Sequence, residues 1–443
     1  MTDSPVPEFD APDFDAPDFD AVDFFRSRAL YQNPYPYYDY ARDQGPVWRE
    51  PHHGVVMVTG YDEAIAVLND TTAFSNCNTV SGPFVPFPVP VEGDDITAVI
   101  DTYRDTLPFS DQLPSFDPPK HTAHRALLMR LITPKRLREN EEFMWRLADR
   151  QLDEFHANGR CEFVHEYAGP FTLLVIADLL GVPDEEHDRF RKELQGDARA
   201  STGGAHGTDK SGAVAHKPLE FLYDRFTAFI EDRRRTPRND VMTELATATF
   251  PDGTLPEVHD VMLIAANLFA AGQETTARML GTALRRIGEE PDLQQQLRDD
   301  RSRIPAFVEE VVRLESPIQG NFRMARHHTS LGGVDIPAGT SVMVLEGAAN
   351  HDPRQFECPA DLRLDRANGR QHIGFGFGIH ACAGAPLARA EGRASLERIL
   401  DRMADIRVSE SEHGPAGARR YQYSPIYMLR GLEALHLEYT PVS

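Results

Sequence analysis

Apolar residues recur at helical spacing through most of the chain, and the longest such pattern, residues 260–287, is apolar on nearly every side. A helix of that kind has little to offer water and is expected to run through the core. Residues 122–131 set apolar positions on one face with basic residues opposite, and 305–314 form another helix, stopped before Pro317. A further helical segment follows at 385–400. Residues 332–344 (GGVDIPAGTSVMV) place turn residues between β-formers and read as a hairpin. Helix dominates, with small sheets late in the chain, so the expected fold class is mainly α with small β-sheets.

No long Gly/Ser or Pro tract interrupts residues 24–443, which are expected to form a single large domain. Residues 196–214, rich in Gly, Ala, Ser and Thr, are the exception and read as a mobile loop able to gate a buried site. The apolar runs 171–180 and 261–271 fall short of the roughly 18–20 residues that cross a bilayer. No membrane span is expected. The start has neither the basic nor the apolar stretch of a secretory signal, which points to the cytoplasm.

Charge changes the picture at one end. The chain carries 46 basic and 69 acidic residues, a net −23, which speaks against nucleic acid or an anionic membrane as partner. Eight acids and no base fall in residues 1–23, where FDAPD, FDAPD, FDAVD repeat from Phe9. Like charge with proline cannot bury a core, so this tail is expected to lack fixed structure, or to order on a basic partner. Cys77, Cys161, Cys358 and Cys382 lie far apart with no CxxC, against a zinc site or disulfide framework.

The candidate chemistry centres on residues 375–384, FGFGIHACAG. Glycines at 374, 376, 378 and 384 allow tight turns and close approach to a flat ligand, and amides there can donate to a sulfur anion. A cysteine taken alone is more often an inert buried side chain. The pattern Phe375, Gly378, His380, Cys382, Gly384, however, resembles the haem-binding signature of the cytochrome P450 family. The resemblance runs from about residue 31 to 440. It implies a triangular, mainly helical fold with haem b (iron protoporphyrin IX) between the Gln273-bearing helix and the cysteine loop. Cys382 is thereby implied as the iron ligand, whose thiolate pushes electron density onto the metal and favours O–O cleavage.

Other segments acquire roles from the same resemblance. Glu310 and Arg313, three apart on a helix, match the family's ExxR pair, which is structural. The usual third partner is displaced: Asp361 stands there, leaving Arg363 or Arg366 to substitute, or the pair to work alone. Residues 270–276, AAGQETT, resemble the oxygen-binding motif. Gly272 is expected to weaken the helix so that its ladder opens to dioxygen or water, and Glu274 with Thr275 is implied as the catalytic proton-delivery pair. His121 and Arg125, four apart, together with Arg323 and His380, match positions that bind the haem propionates.

The implied activity is a monooxygenase that uses O2 on an apolar small molecule and takes electrons from a separate ferredoxin-type protein and its reductase. A monomer is expected. Arg130, Arg136, Arg138, Arg389, Arg393 and Arg398 are expected to form a local positive patch for that carrier. A peroxide-driven haem enzyme and a non-catalytic haem-fold domain that recruits other proteins are the alternatives, and the intact Glu274–Thr275 pair weighs against both. Phe84, Phe87, Phe109, Leu268, Ala271, residues 318–321, Ile426 and Tyr427 are the expected substrate lining.

Overall fold

The computed structural model describes residues 18–196 and 217–442. Most of the acidic repeat and of the expected 196–214 loop therefore lies outside the described residues. The part of the repeat that is described packs on the body: the Phe19 ring meets Tyr37 edge-on at 5.7 Å, and Asp23 bonds His53 Nε2 at 2.9 Å.

Eight helices place the site: α1 (Tyr35–Gln44), α2 (Tyr61–Asn69), α3 (Lys120–Leu131), α4 (Pro134–Asp153), α5 (Gly169–Leu179), α6 (Val258–Glu289), α7 (Ile304–Leu314) and α8 (Ala385–Arg402). Local chemistry starts several of them. Thr133 accepts from the Arg136 amide at 3.3 Å and caps α4, and prolines stand in the first turns of α4, α5, α7 and α8, where an amide hydrogen has no helical partner. The 32-residue α6 runs unbroken through the core, packed by α3, α5, α7 and α8. Its apolar faces are buried from Val261 to Phe269 and again from Met279 to Ile287. α7 and α8 pack on each other, with α4 against the far side of α8.

Three small sheets complete the fold. One has the order β1 (Val47–Arg49), β2 (Val56–Val58), β8 (Ser341–Val344), β5 (Asn321–Ala325), β3 (Phe74–Ser75). Its pairings are antiparallel except β2 with β8, in register Val56↔Val342. A second joins β4 (Arg160–Glu162), β10 (His436–Pro441) and β9 (Met403–Val408). The third is the hairpin β6 (Thr329–Leu331) with β7 (Val334–Ile336).

The expected 332–344 hairpin is corrected here. The turn is Gly332–Gly333, with φ of +55° and +81°, so the hairpin's first strand precedes it. Two left-handed residues match a tight connection to the twist of its strands. The second turn, through Pro337 and Gly339, delivers β8 to the larger sheet. Among the described residues no helix is long and apolar enough to cross a membrane.

Candidate active site

A cavity of ≈ 300 Å³ lies between α6 and the loop that precedes α8. The loop's shape follows from its glycines. Gly376 and Gly378 adopt φ of +67° and +68°, where a side chain is strained, and a Cβ on Gly378 would lie 2.8 Å from Leu68 O on α2. Cys382 N donates to Phe375 O at 2.8 Å, closing the loop on itself. Cys382 is exposed and lines this cavity. Burial pushes its thiol up, while the Gly384 and Ala385 amides and the Arg125 charge draw it back toward the anion.

Polar side chains gather around the same space. His121, Arg125, Arg323, Phe375, His380, Cys382 and Gly384 all line it, as does Thr275. Gly378 faces α2 instead and shapes the loop. Arg323 is buried and donates to Thr79 Oγ1 and Phe322 O, both at 2.7 Å; burial pulls its pKa down to about 10. Arg125 donates to Ala381 O at 2.6 Å. Among the described residues neither guanidinium has a carboxylate within ion-pair distance. His121 and His380 lie with ring centroids 4.0 Å apart and their planes tilted by 43°, each with a buried Nε2 lacking a partner. Burial pushes both imidazoles down, to about 4 and about 2.

Two guanidiniums without carboxylate partners and two orphaned ring nitrogens around a largely apolar cavity call for an anionic ligand, because buried cations and polar groups without partners are costly. A flat porphyrin with two carboxylates and a metal for the sulfur meets all of these demands. The residues present therefore fit haem.

The α6 wall departs from expectation at two points. Thr275 Oγ1 donates to Ala271 O at 2.8 Å, bonded back to its own helix, and Glu274 turns from the cavity into an ion pair with Arg278, which also donates to Ser424 Oγ at 2.8 Å. Gly272 does not open the helix. A Cβ there would sit 3.3 Å from Ile176 Cδ1, so the missing side chain lets α5 approach; Thr172 Oγ1 on α5 donates to Gln273 O at 2.9 Å.

Glu310 and Arg313 lie outside the cavity, beneath the cysteine loop. Their buried pair, 2.7 Å, is completed by Arg366 Nε at 3.0 Å and the Arg363 amide at 3.0 Å, so Arg366 supplies the third charge and Arg363 only its backbone. The neighbouring Glu309 binds His372 at 3.0 Å and Arg389 at 2.7 Å. Burial opposes its charge, yet these two partners hold it down near about 2.

Of the expected substrate lining, Leu268, Ala271, Ile318 and Asn321 face the cavity, joined by Leu113, Pro114 and Asn267, which the sequence did not single out. Phe84 instead packs near the surface on Phe25 and His53, Phe87 lies against the Cys77 cluster, and Ile426 and Tyr427 line a separate small crevice beside Phe24. The expected basic patch is largely neutralised: Arg136, Arg389, Arg393 and Arg398 pair with Glu244, Glu309, Glu141 and Asp149. Arg130 and Arg138 have no ion pair among the described residues.

The cytochrome P450 family profile matches residues 210–404. Cytochrome P450 144 of Mycobacterium tuberculosis is 33% identical over 395 residues, covering 87% of this chain and 86% of that protein. Cytochrome P450 109 of Bacillus spizizenii is 31% identical, covering 84% and 85%. Among solved structures, substrate-free CYP150A6 of Mycobacterium marinum superposes with a TM-score of 0.90 at 54% identity, over 96% of this chain and 100% of that one. CYP109E1 of Bacillus megaterium in complex with testosterone superposes at 0.74 with 26% identity, over 92% and 99%.

Proposed function

This chain belongs to the cytochrome P450 family, and from that membership we propose that it inserts one oxygen atom of O2 into an apolar small molecule, with Cys382 holding haem b and a separate ferredoxin-type protein supplying electrons. The observation that carries this reading is a single cavity with the Cys382 sulfur on one wall and Thr275 on the other, flanked by cations that lack anions.

Haem, when bound, supplies the iron chemistry that activates dioxygen, and the protein's part is positioning, charge and proton supply. The Gly384 and Ala385 amides stabilise negative charge on the Cys382 sulfur. Arg125, Arg323, His121 and His380 would hold the propionates. The apolar residues Ile264, Leu268, Ala271 and Ile318 keep bulk water from the reacting carbon. Thr275, its hydrogen given to Ala271 O, keeps oxygen lone pairs to accept from a water in the cavity. Glu274 delivers a proton toward that hydroxyl only by leaving Arg278, so their ion pair gates the supply.

The decisive measurement is the carbon-monoxide difference spectrum of the reduced protein beside Cys382→Ala. A thiolate-type Soret band lost in the variant is expected. A histidine-type band indifferent to the substitution, or no haem band, would overturn the reading.

A further inference from the structure

We propose that Glu346 is a redox-linked proton site: its carboxylate takes up one proton as the haem iron takes up one electron, so that charge added within the cavity is neutralised on its wall. The inference rests on the monooxygenase reading, in which Cys382 holds haem, and adds a residue that this reading does not use.

Glu346 follows β8, is 1% exposed and lines the cavity. The Asn321 side-chain amide donates to one of its carboxylate oxygens, and the other oxygen has no partner. Among the described residues no cation lies within ion-pair distance of it. A buried carboxylate held by a single neutral donor recovers little of its lost hydration, so it exchanges its charge for a proton readily. Burial accordingly raises it to about 7, against the pull of Asn321 and of the Arg323 charge.

Asn321 and Arg323 stand two apart on β5, hence on one side of the sheet, and both line the cavity. Arg323 commits one guanidinium nitrogen to Thr79 and Phe322 O and leaves the rest for a haem carboxylate. Glu346 thus shares the field of a cation that would bind the cofactor.

The other groups around Glu346 are fixed in charge or paired elsewhere. Tyr38 on α1 is pushed up by burial and stays neutral. Arg42 on α1 donates to Asp39 and Ala348 O, and Glu63 on α2 pairs with Arg354. His121 and His380, also on the cavity wall, are held near about 4 and about 2 by burial. Glu391, the second carboxylate of the lining, keeps its proton because its burial is opposed only by a bond to Thr276.

At an effective dielectric of about 20, one charge at about 12 Å changes a proton affinity about tenfold. One electron from the ferredoxin-type carrier lowers the charge of the iron by one, and one proton from solvent forms one O–H bond on Glu346. Nothing else is made or broken. Because the reduced protein binds the proton more tightly, the midpoint potential falls as pH rises through the range in which Glu346 titrates.

The test uses the haem-loaded full chain and Glu346→Gln, which keeps an acceptor for Asn321 and cannot ionise. Spectroelectrochemical titration gives the midpoint potential of each from about pH 5.5 to about pH 9. Titration of the haem carboxylates is common to both proteins and cancels in the comparison. Across this range the wild-type midpoint is expected to fall by about 59 mV more than that of the variant, the equivalent of a tenfold change in proton affinity. A reduction-induced infrared difference spectrum at about pH 7.5 reads the proton itself. Wild type should gain a carboxylic-acid C=O band that shifts in D2O and is missing from the variant. A difference in midpoint smaller than about half the expected one, or an infrared spectrum that the substitution leaves unaltered, overturns the inference. Both proteins must first show the thiolate-type ferrous–CO band. If wild type lacks it, the monooxygenase reading falls and this inference with it; if only the variant lacks it, Glu346→Leu is read in its place.

Discussion

Glu310 is a fully buried carboxylate, and its environment is built to keep it charged. Burial raises its pKa, but Arg313, the Arg363 amide and Arg366 together bring it below the ordinary value. Arg313 contributes most: it binds both carboxylate oxygens and also donates to Asn350 O, Pro359 O and Asp361 O. Arg366 adds one guanidinium nitrogen shared between the two oxygens. Arg313→Met should therefore cost about 3–5 kcal/mol, since it strips a buried charge of its main partner. Arg366→Met, which leaves Arg313 in place, should cost about 1–3 kcal/mol. Urea unfolding of the haem-loaded variants measures both, and equal losses would refute the ranking. The i, i+3 pair was readable from spacing alone. Arg366 was offered only through the family resemblance, as one of two candidates with Arg363, because a loop more than fifty residues further on brings it back and local periodicity carries no trace of that return.

At the scale of elements, α6 owes its close packing to one missing side chain. Gly272 costs about 1 kcal/mol of helix propensity relative to alanine, and the contact with Ile176 is what it allows. Gly272→Ala places a methyl 3.3 Å from Ile176 Cδ1, the free end of a flexible chain that can move by a few tenths of an ångström. The thermal midpoint of this variant should shift by no more than the equivalent of about 1 kcal/mol. Gly272→Val, with two more carbons against α5 and the cavity wall, should lose about 1–3 kcal/mol. A large loss in the alanine variant would mean that the backbone of α6 requires glycine for another reason. Helix positions were legible because apolar periodicity persists over many residues: 260–287 was expected and Val258–Glu289 is found. Small sheets were expected, but their pairing was not legible. β2 pairs with β8 across nearly three hundred residues, through strands of three and four residues too short to carry a period.

At the scale of the whole molecule, some buried carboxylates among the described residues act on stability in opposite directions. Glu309, held near about 2 by His372 and Arg389 against its burial, is ionised in the folded state where the unfolded chain takes up a proton. Its contribution is present above about pH 4.5 and is lost as pH falls toward 2. Glu346 does the reverse. Buried on the cavity edge, with Asn321 on one oxygen and the other unpartnered, it is raised to about 7, burial outweighing the Asn321 bond and the Arg323 charge. The unfolded chain loses this proton from about pH 4.5 upward while the folded protein keeps it, so stability declines as pH rises through 7. Glu391, buried on α8 and raised well above the ordinary carboxylate value by that burial, acts in the same direction. Glu346 and Glu391 thus favour the acid side of neutrality, while the buried His121 and His380, held low, pull the other way up to about pH 6.5. Glu346→Gln keeps an acceptor for Asn321 and removes the titration. It should match wild type near pH 5 and exceed it at pH 8 by an amount on the order of 2–3 kcal/mol, an upper bound because Arg323 can draw closer to the ionised acid. Chemical unfolding of both haem-loaded proteins at pH 5, 6.5 and 8 reads the difference directly; a gap that stays constant with pH would show that Glu346 does not titrate in this window.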